Sequence, residues 1–307
     1  MTAYLGIDTS CYTTSVAIAD NSQQILCNIK IPLEVEQGKK GLQQSQAVFL
    51  HIRNFTKMFE ENQLTAYAPF NGICVSEKPR PCNDSYMPVF TVGTMVGQAV
   101  ASITGAPLFC ATHQEGHLWA ALIGKTMSKR FIAAHVSGGT TEILDVTREN
   151  DSTFSIKILG GTLDIAAGQL IDRFAQKIEL PFPGGRHIET LAENGADLAF
   201  KHSVCGCDIN FSGIEAQTLR AVGGEDYADI CYSILLSIAV SLEHAVKNAI
   251  QRTGLQDVLL FGGVMGNKLI RTYLSNKLDR IQFAEIEYSS DNAAGLAVLA
   301  AQKGAIK

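Results

Sequence analysis

The chain is short of charge. Only 18% of its 307 residues are Asp, Glu, Lys or Arg, and 25 basic residues face 30 acidic ones, a net charge of −5. That balance argues against a stand-alone nucleic-acid binder, whose footprint is a basic stripe. It leaves open an RNA delivered by a partner or held on a local patch. Low charge together with 46% apolar residues excludes intrinsic disorder. Long hydrophobic runs are missing too. The longest, around Cys231–Val240, is broken by Ser233 and Ser237 and reads as too short to span a bilayer. The opening MTAYLGIDTS has neither a basic nor an apolar leader region, so no signal peptide is expected. Eight cysteines are scattered, with only Cys205 and Cys207 close together, which fits reduced thiols in a cytoplasmic setting and no membrane partner.

What is present is an alternation of strands and helices long enough for two lobes. Tyr4–Asp8 and Ser15–Asp20 read as strands flanking the polar turn Thr9–Thr14. The plan returns at mid-chain: Phe131–Val136, the turn Ser137-Gly138-Gly139-Thr140-Thr141, then Glu142–Val146, a weak internal repeat. Helices are expected at Gly41–Glu61, Val92–Thr104, Leu163–Ile178, about Asp229–Arg252, from Asn267, and over Ala293–Gln302. Short apolar strands are expected at Asn71–Ser76 and Val258–Phe261. The helix at 229–252 has an i, i+3, i+4 stripe of Ile234, Leu235, Ile238, Leu242, Ala245, Val246 and Ala249.

Both turns offer backbone N–H groups and hydroxyls to an anion. In Ser137-Gly138-Gly139 the missing Cβ atoms let a phosphate or carboxylate approach closely. A third element, Gly262-Gly263-Val264-Met265-Gly266-Asn267, joins a strand to a helix whose N–H groups point inward. Each alone also fits an ordinary turn or helix cap. Together they resemble the actin-like superfamily of sugar kinases and heat-shock ATPases, and so imply a two-lobed α/β fold with a nucleotide cleft between lobes. His113 and His117, four apart in a helix, can hold one transition metal from one face. They leave a ligand missing, for which Asp291 is the candidate. Gly116 between them is not there for helix propensity. The order is not the His-Glu-x-x-His of zinc proteases, although Glu115 could act as a base. His202, Cys205, Cys207 and Asp208 form a second candidate cluster, with a spacing that fits no common zinc pattern and more simply reads as a surface loop. His51, His135, His187 and His244 have no partner in sequence.

More specifically, the chain resembles the tRNA N6-adenosine threonylcarbamoyltransferase family, TsaD-like proteins formerly labelled O-sialoglycoprotein endopeptidases or glycoproteases. The matching residues are Gly6-Ile7-Asp8-Thr9-Ser10-Cys11, His113-x-Glu115-Gly116-His117, Val136-Ser137-Gly138-Gly139, and Leu163-Asp164-x-Ala166-Ala167-Gly168 with Asp172. Pro183-Gly184-Gly185, Phe211-Ser212-Gly213, Gly262-Gly263-Val264 with Asn267, and Asp291-Asn292-Ala293-Ala294 complete them in the family's order. The resemblance implies one divalent metal, iron or zinc, on His113, His117 and Asp291. It implies an adenine nucleotide (ATP, ADP, AMP or an acyl-adenylate) on Ser137, Gly138, Gly139, Asp172, Gly185 and Asn267. It further implies transfer of a threonylcarbamoyl group to a tRNA adenosine, with tRNA reached through partner subunits, and a homo- or heterodimer with an actin-like relative.

The first third departs from the family. Two acidic residues usually follow Ser-Cys; here they are Tyr12 and Thr13. Gly38–Gln46 and Pro79–Pro88 replace other family stretches, Thr140 stands for a histidine and Glu215 for a lysine. This suits a divergent paralogue. Asp8 is the one carboxylate near the first turn and the catalytic candidate. The expected lobes are 1–105 with 293–307, and 106–292 carrying both metal and adenylate sites. Alternatives are a non-transferase nucleotide-binding partner or regulator, an ATP-dependent phosphotransferase and, least favoured, a metalloprotease.

Overall fold

Apolar residues in near-continuous runs make the central strands, because these strands are covered on both faces. In a computed structural model, which describes residues 2–10, 12–34, 42–62, 64–81 and 84–305, Ala3–Thr9 (β1) is buried at all seven positions. Cys11, the stretch Gly38-Lys39-Lys40-Gly41, and Cys82-Asn83, all used in the sequence reading, lie outside the described residues. The chain divides into two compact units: 1–124 with 150–152 and 291–307, and 125–149 with 153–290.

In the first unit β1 is followed by β2 (Thr13–Ala19), β3 (Ile25–Pro32), α1 (Gln44–Glu61), β4 (Phe70–Lys78), α2 (Phe90–Thr104), β5 (Leu108–Thr112) and α3 (His113–Ala121). The sheet order is β3-β2-β1-β4-β5, antiparallel through β3, β2 and β1 and parallel through β1, β4 and β5. Ile7, Val16, Ile18, Phe55, Met58, Ile73 and Val75 fill one core of this unit.

The second unit runs β6 (Arg130–Val136), β7 (Thr141–Asn150), β8 (Thr153–Gly161), α4 (Ala167–Lys177), α5 (Gly185–Ala192), β9 (Ser203–Cys205) and β10 (Asp208–Asn210). It continues with α6 (Ser212–Ala221), α7 (Tyr227–Thr253), β11 (Val258–Phe261), α8 (Lys268–Lys277), β12 (Ile281–Phe283) and α9 (Ile286–Ser289). Its large sheet, β12-β11-β6-β7-β8, repeats the first in reverse listing, so the internal repeat seen in the two hairpins extends to five strands. The chain then returns to the first unit for its last helix, α10 (Ala294–Ala305).

All seven residues of the predicted α7 stripe are fully buried. The apolar stretch judged too short for a membrane is part of this 27-residue helix, which is long and apolar enough to cross one; instead it fills the core of the second unit. The helix expected from Leu163 starts at Ala167, because the Asp164 carboxylate accepts from the N–H groups of Ile165, Phe211 and Ser212 and holds the preceding residues as a loop. The boundary also differs from the expected 105/106. β5 extends the first unit's sheet and α3 packs on α10, so the two histidines belong to the first unit and the nucleotide candidates to the second.

Two glycines let α10 settle against β1 and α3. A Cβ on Gly6 would meet Ala293 O and Ala297 N at 2.4 Å, and one on Gly295 would meet Gly116 O at 1.9 Å. Backbone lies on backbone there, with no flexible side chain to give way. Gly295→Ala is therefore expected to destabilise the protein by about 1–3 kcal/mol in a denaturant titration. Gly224→Ala, at a position with only Ala221 O 3.9 Å away, should stay within about 0.5 kcal/mol of the parent.

Candidate metal and nucleotide sites

The α3 helix begins at its first histidine because Thr112 caps it. The Glu115 N–H donates to Thr112 Oγ1 at 3.2 Å, and Glu115 Oε2 accepts from the Thr112 N–H at 2.8 Å, a reciprocal capping box. The Glu115 carboxylate is thus engaged by its own helix start.

One turn apart, His113 Nε2 and His117 Nε2 lie 3.0 Å from each other. Asp291 Oδ1 lies 3.2 Å from His117 Nε2 and 3.7 Å from His113 Nε2. A tetrahedral zinc with bonds of about 2.0–2.1 Å separates its ligand atoms by about 3.3 Å. The three side chains, close-set by the Gly116–Gly295 contact, fit such an ion. Among the described residues they are the group whose ligand atoms converge.

Behind them stands a supporting layer. His113 Nδ1 lies 3.1 Å from Asp8 Oδ1, which also accepts from the Ser76 hydroxyl. The Ser10 hydroxyl donates to Asp291 Oδ2 at 3.0 Å. A carboxylate on the far nitrogen of a ligating histidine fixes its ring and tautomer. Asp8, the catalytic candidate of the sequence, is only 1% exposed and lies behind His113, a position suited to orienting that ring. Burial works against a charged His113, yet the Asp8 carboxylate, aided by Asp291, outweighs it, and the imidazole is pushed up to about 9. For Asp291 burial acts in the opposite sense, but the His117 hydrogen bond and the His113 charge hold its carboxyl far below the usual range.

The six nucleotide candidates gather in the second unit. Ser137–Thr140 closes as a turn through Ser137 N–H to Thr140 O at 2.7 Å, and a Cβ on Gly138 or Gly139 would meet nothing within 4 Å. The N-terminus of α4 rests on this turn: Gly168 N–H donates to Ser137 O, and a Cβ on Gly168 would meet Gly138 Cα at 2.5 Å. Gly262, at φ 103°, abuts the strand before the turn; its Cβ would meet Val136 O at 2.3 Å. Asp172 Oδ1 accepts from Gly184 N–H at 2.8 Å and so fixes the loop into Gly185. Burial raises the Asp172 pKa, against that hydrogen bond. Asn267 caps α8 by accepting from Ile270 N–H, and Glu189 of α5 accepts from Lys268 N–H beside it.

Sequence reasoning missed Glu189 and Ser76. Neither lies in a spaced motif; Ser76 reaches Asp8 because β4 pairs parallel to β1. The second cysteine-histidine cluster does not assemble. Ser203–Cys205 and Asp208–Asn210 pair as a hairpin with Cys205 exposed and Cys207 buried. His135 stacks on Phe261, and His202 meets His244 edge-on. Of the departures, Tyr12 is 41% exposed, Thr13 opens β2, and Glu215 pairs with Arg173 at 3.2 Å. The crevice lined by Thr126, Met127, Ser128, Asp257, Arg280, Ile281 and Gln282 takes in none of the candidates.

Two five-stranded sheets of one topology define an actin-like α/β fold. Solved structures agree: component A of (R)-2-hydroxyglutaryl-CoA dehydratase from Acidaminococcus fermentans superposes with TM-score 0.61 at 17% identity, covering 99% of this chain and 100% of that one. The Clostridium difficile activator of 2-hydroxyisocaproyl-CoA dehydratase, solved with ADPNP, gives 0.55 at 16% identity over 99% and 96%. HypF from T. kodakarensis gives 0.59 at 15% over 98% of this chain and 48% of that one. Within this class the chain belongs to the TsaD family, tRNA N6-adenosine threonylcarbamoyltransferases, whose family model matches residues 51–298. It is 30% identical to the tRNA N6-adenosine threonylcarbamoyltransferase of Halalkalibacterium halodurans, over 97% of this chain and 90% of that one.

The raised His113 pKa has a consequence for the metal-free protein. Its ion pairs with Asp8 and Asp291 stabilise the fold fully below the unfolded histidine value of about 6.5 and are lost as pH rises through about 9. Melting temperatures in chelator should fall between those pH values, and His113→Asn should flatten the fall. An equal slope in both proteins would contradict this assignment.

Proposed function

We propose that this protein binds one divalent ion through His113, His117 and Asp291 and an adenine nucleotide through Ser137–Gly139, Asp172, Gly185 and Asn267, and that it transfers a threonylcarbamoyl-type group from an adenylate to a tRNA adenosine. The observation that carries the reading is the convergence of three ligand atoms within 4.8 Å on a layer of Asp8 and Ser10. Bound there, an iron or zinc ion supplies Lewis-acid polarisation of an acyl carbonyl. The open Ser137–Gly139 turn, with the N-terminus of α4 against it, takes the adenylate phosphate. Asp172, with Oδ1 engaged by Gly184, has Oδ2 for ribose hydroxyls. In the reaction the adenosine amine forms a bond to the carbamoyl carbon, that carbon's bond to the phosphate oxygen breaks, AMP departs with the electron pair, and the amine loses a proton. The setting is cytoplasmic, with tRNA brought by partner subunits.

A second reading is favoured by Tyr12 and Thr13. They stand where relatives carry two carboxylates, and a tyrosine hydroxyl titrating near pH 10 cannot take up the amine's proton at neutral pH. General-base help is worth about 10²–10⁴-fold. On this reading the protein binds metal and nucleotide but serves another acceptor or a regulatory role.

Metal analysis should find one ion per chain in the parent and none in His113→Ala or His117→Ala. In calorimetry with AMP and ATP, Asp172→Ala should lose about 1.5–3 kcal/mol, tenfold or more in affinity. Reconstitution with tRNA, threonine, bicarbonate, ATP, the adenylate-forming enzyme and partner subunits separates the two readings. Modified adenosine formed at the rate of an acidic-pair relative supports transfer; normal binding without product supports the second reading. A parent protein that holds neither metal nor nucleotide would sink both.

A further inference from the structure

His51 has no exposed surface, and the transfer reading gives it no task. It sits on α1 among Ala47, Phe55 and Met58, where packing alone favours an apolar side chain. Instead its Nδ1 shares a hydrogen bond with Thr14 Oγ1 at 2.8 Å. One turn along, Asn54 Nδ2 donates to the same Thr14 oxygen at 3.1 Å and to Ile31 O at 3.3 Å. Thr14 pairs across the hairpin with Thr9, the residue before Ser10. The ring also lies near the metal layer itself. Burial lowers its pKa, while the Ser10 backbone and the Asp8 charge act in the opposite direction. Nε2 is buried without a hydrogen bond of ordinary geometry. Ser10 in turn donates to Asp291, and Asp8 holds His113.

We propose that His51 is a positioning residue for the metal centre: with Thr14 and the Ser10 backbone it fixes the end of β1 and so aims the Ser10 hydroxyl at Asp291. The proposal rests on the metal reading above. A buried polar ring that packs α1 onto the hairpin would matter for stability alone; a positioning role ties it to ligand affinity. Partners in the outer layer of a metal site typically change affinity by about 10–100-fold. His51 acts one link further out, so about tenfold is expected.

The test titrates the metal-free full-length chain with zinc against a chromophoric chelator, with melting temperatures recorded in chelator. His51→Phe and Ser10→Ala should each weaken zinc binding by about tenfold. The double variant should bind no more weakly than the worse single one, because both act through one contact to Asp291. His51→Gln, which keeps hydrogen-bonding groups in the same place, should retain more affinity than His51→Phe. If His51→Phe does not fold, Thr14→Val breaks the same chain of contacts and should also weaken zinc. Parent-like zinc affinity in His51→Phe or Thr14→Val, or losses that multiply with Ser10→Ala, would overturn the positioning role while leaving the metal reading intact. A parent chain that binds no zinc would overturn the metal reading, and this inference with it.

Discussion

The candidate metal centre depends on one close approach of backbone to backbone. Gly295 on α10 lies against the Gly116 carbonyl of α3, and Gly6 on β1 lies against Ala293 and Ala297. A helix packed at an ordinary distance of 8–10 Å could not bring its preceding residue, Asp291, into bonding range of side chains on the next helix and strand. The small residues that begin α10, Ala294 and Gly295, and Ala293 just before them are buried for this reason. The geometry of the three ligands is thus set by what the glycines lack.

The second unit uses a different device. Its glycine-rich segments carry few side chains with which to hold themselves in shape, and acidic or amide side chains do so instead. Asp164 gathers N–H groups from two separate loops, Asp172 takes Gly184, Glu189 takes Lys268, and Asn267 takes Ile270. Each is an acceptor that satisfies a donor left over at a turn or helix start. The Ser137–Thr140 turn itself is held by the Gly168 N–H on Ser137 O and the Thr140 N–H on Ser137 Oγ, while its two glycines face open space.

Much of this was legible in the sequence. Strands β1, β2, β6 and β11 and helices α2, α7 and α10 announce themselves by periodicity, and the glycine motifs mark the turns. The strands β3 and β8 are not among those expected, although each carries a period-2 stretch, Cys27-Asn28-Ile29-Lys30-Ile31 and Phe154-Ser155-Ile156-Lys157-Ile158. His113 and His117 follow from helical spacing, but no spacing joins Asp291 to them; it is a bare candidate for the missing ligand, which the resemblance then supports. Asp8 reads in the sequence as a carboxylate near a turn; the parallel pairing of β4 with β1 sets Ser76 beside it, and His113 Nδ1 meets it from α3. His51 has no partner in sequence because the residue it meets, Thr14, is 37 residues away.

The path of the chain has a bearing on how the protein comes into being. The first unit is begun at the N-terminus and completed by residues 291–307, after the second unit has been built as a nearly continuous stretch. During synthesis, domains fold as their residues emerge. The second unit has its whole hydrophobic core before α10 exists, whereas β1 waits with the face that α10 will cover. Asp291 is the first residue of the returning segment. The third candidate ligand therefore arrives last, and an unfinished chain lacks the full candidate set.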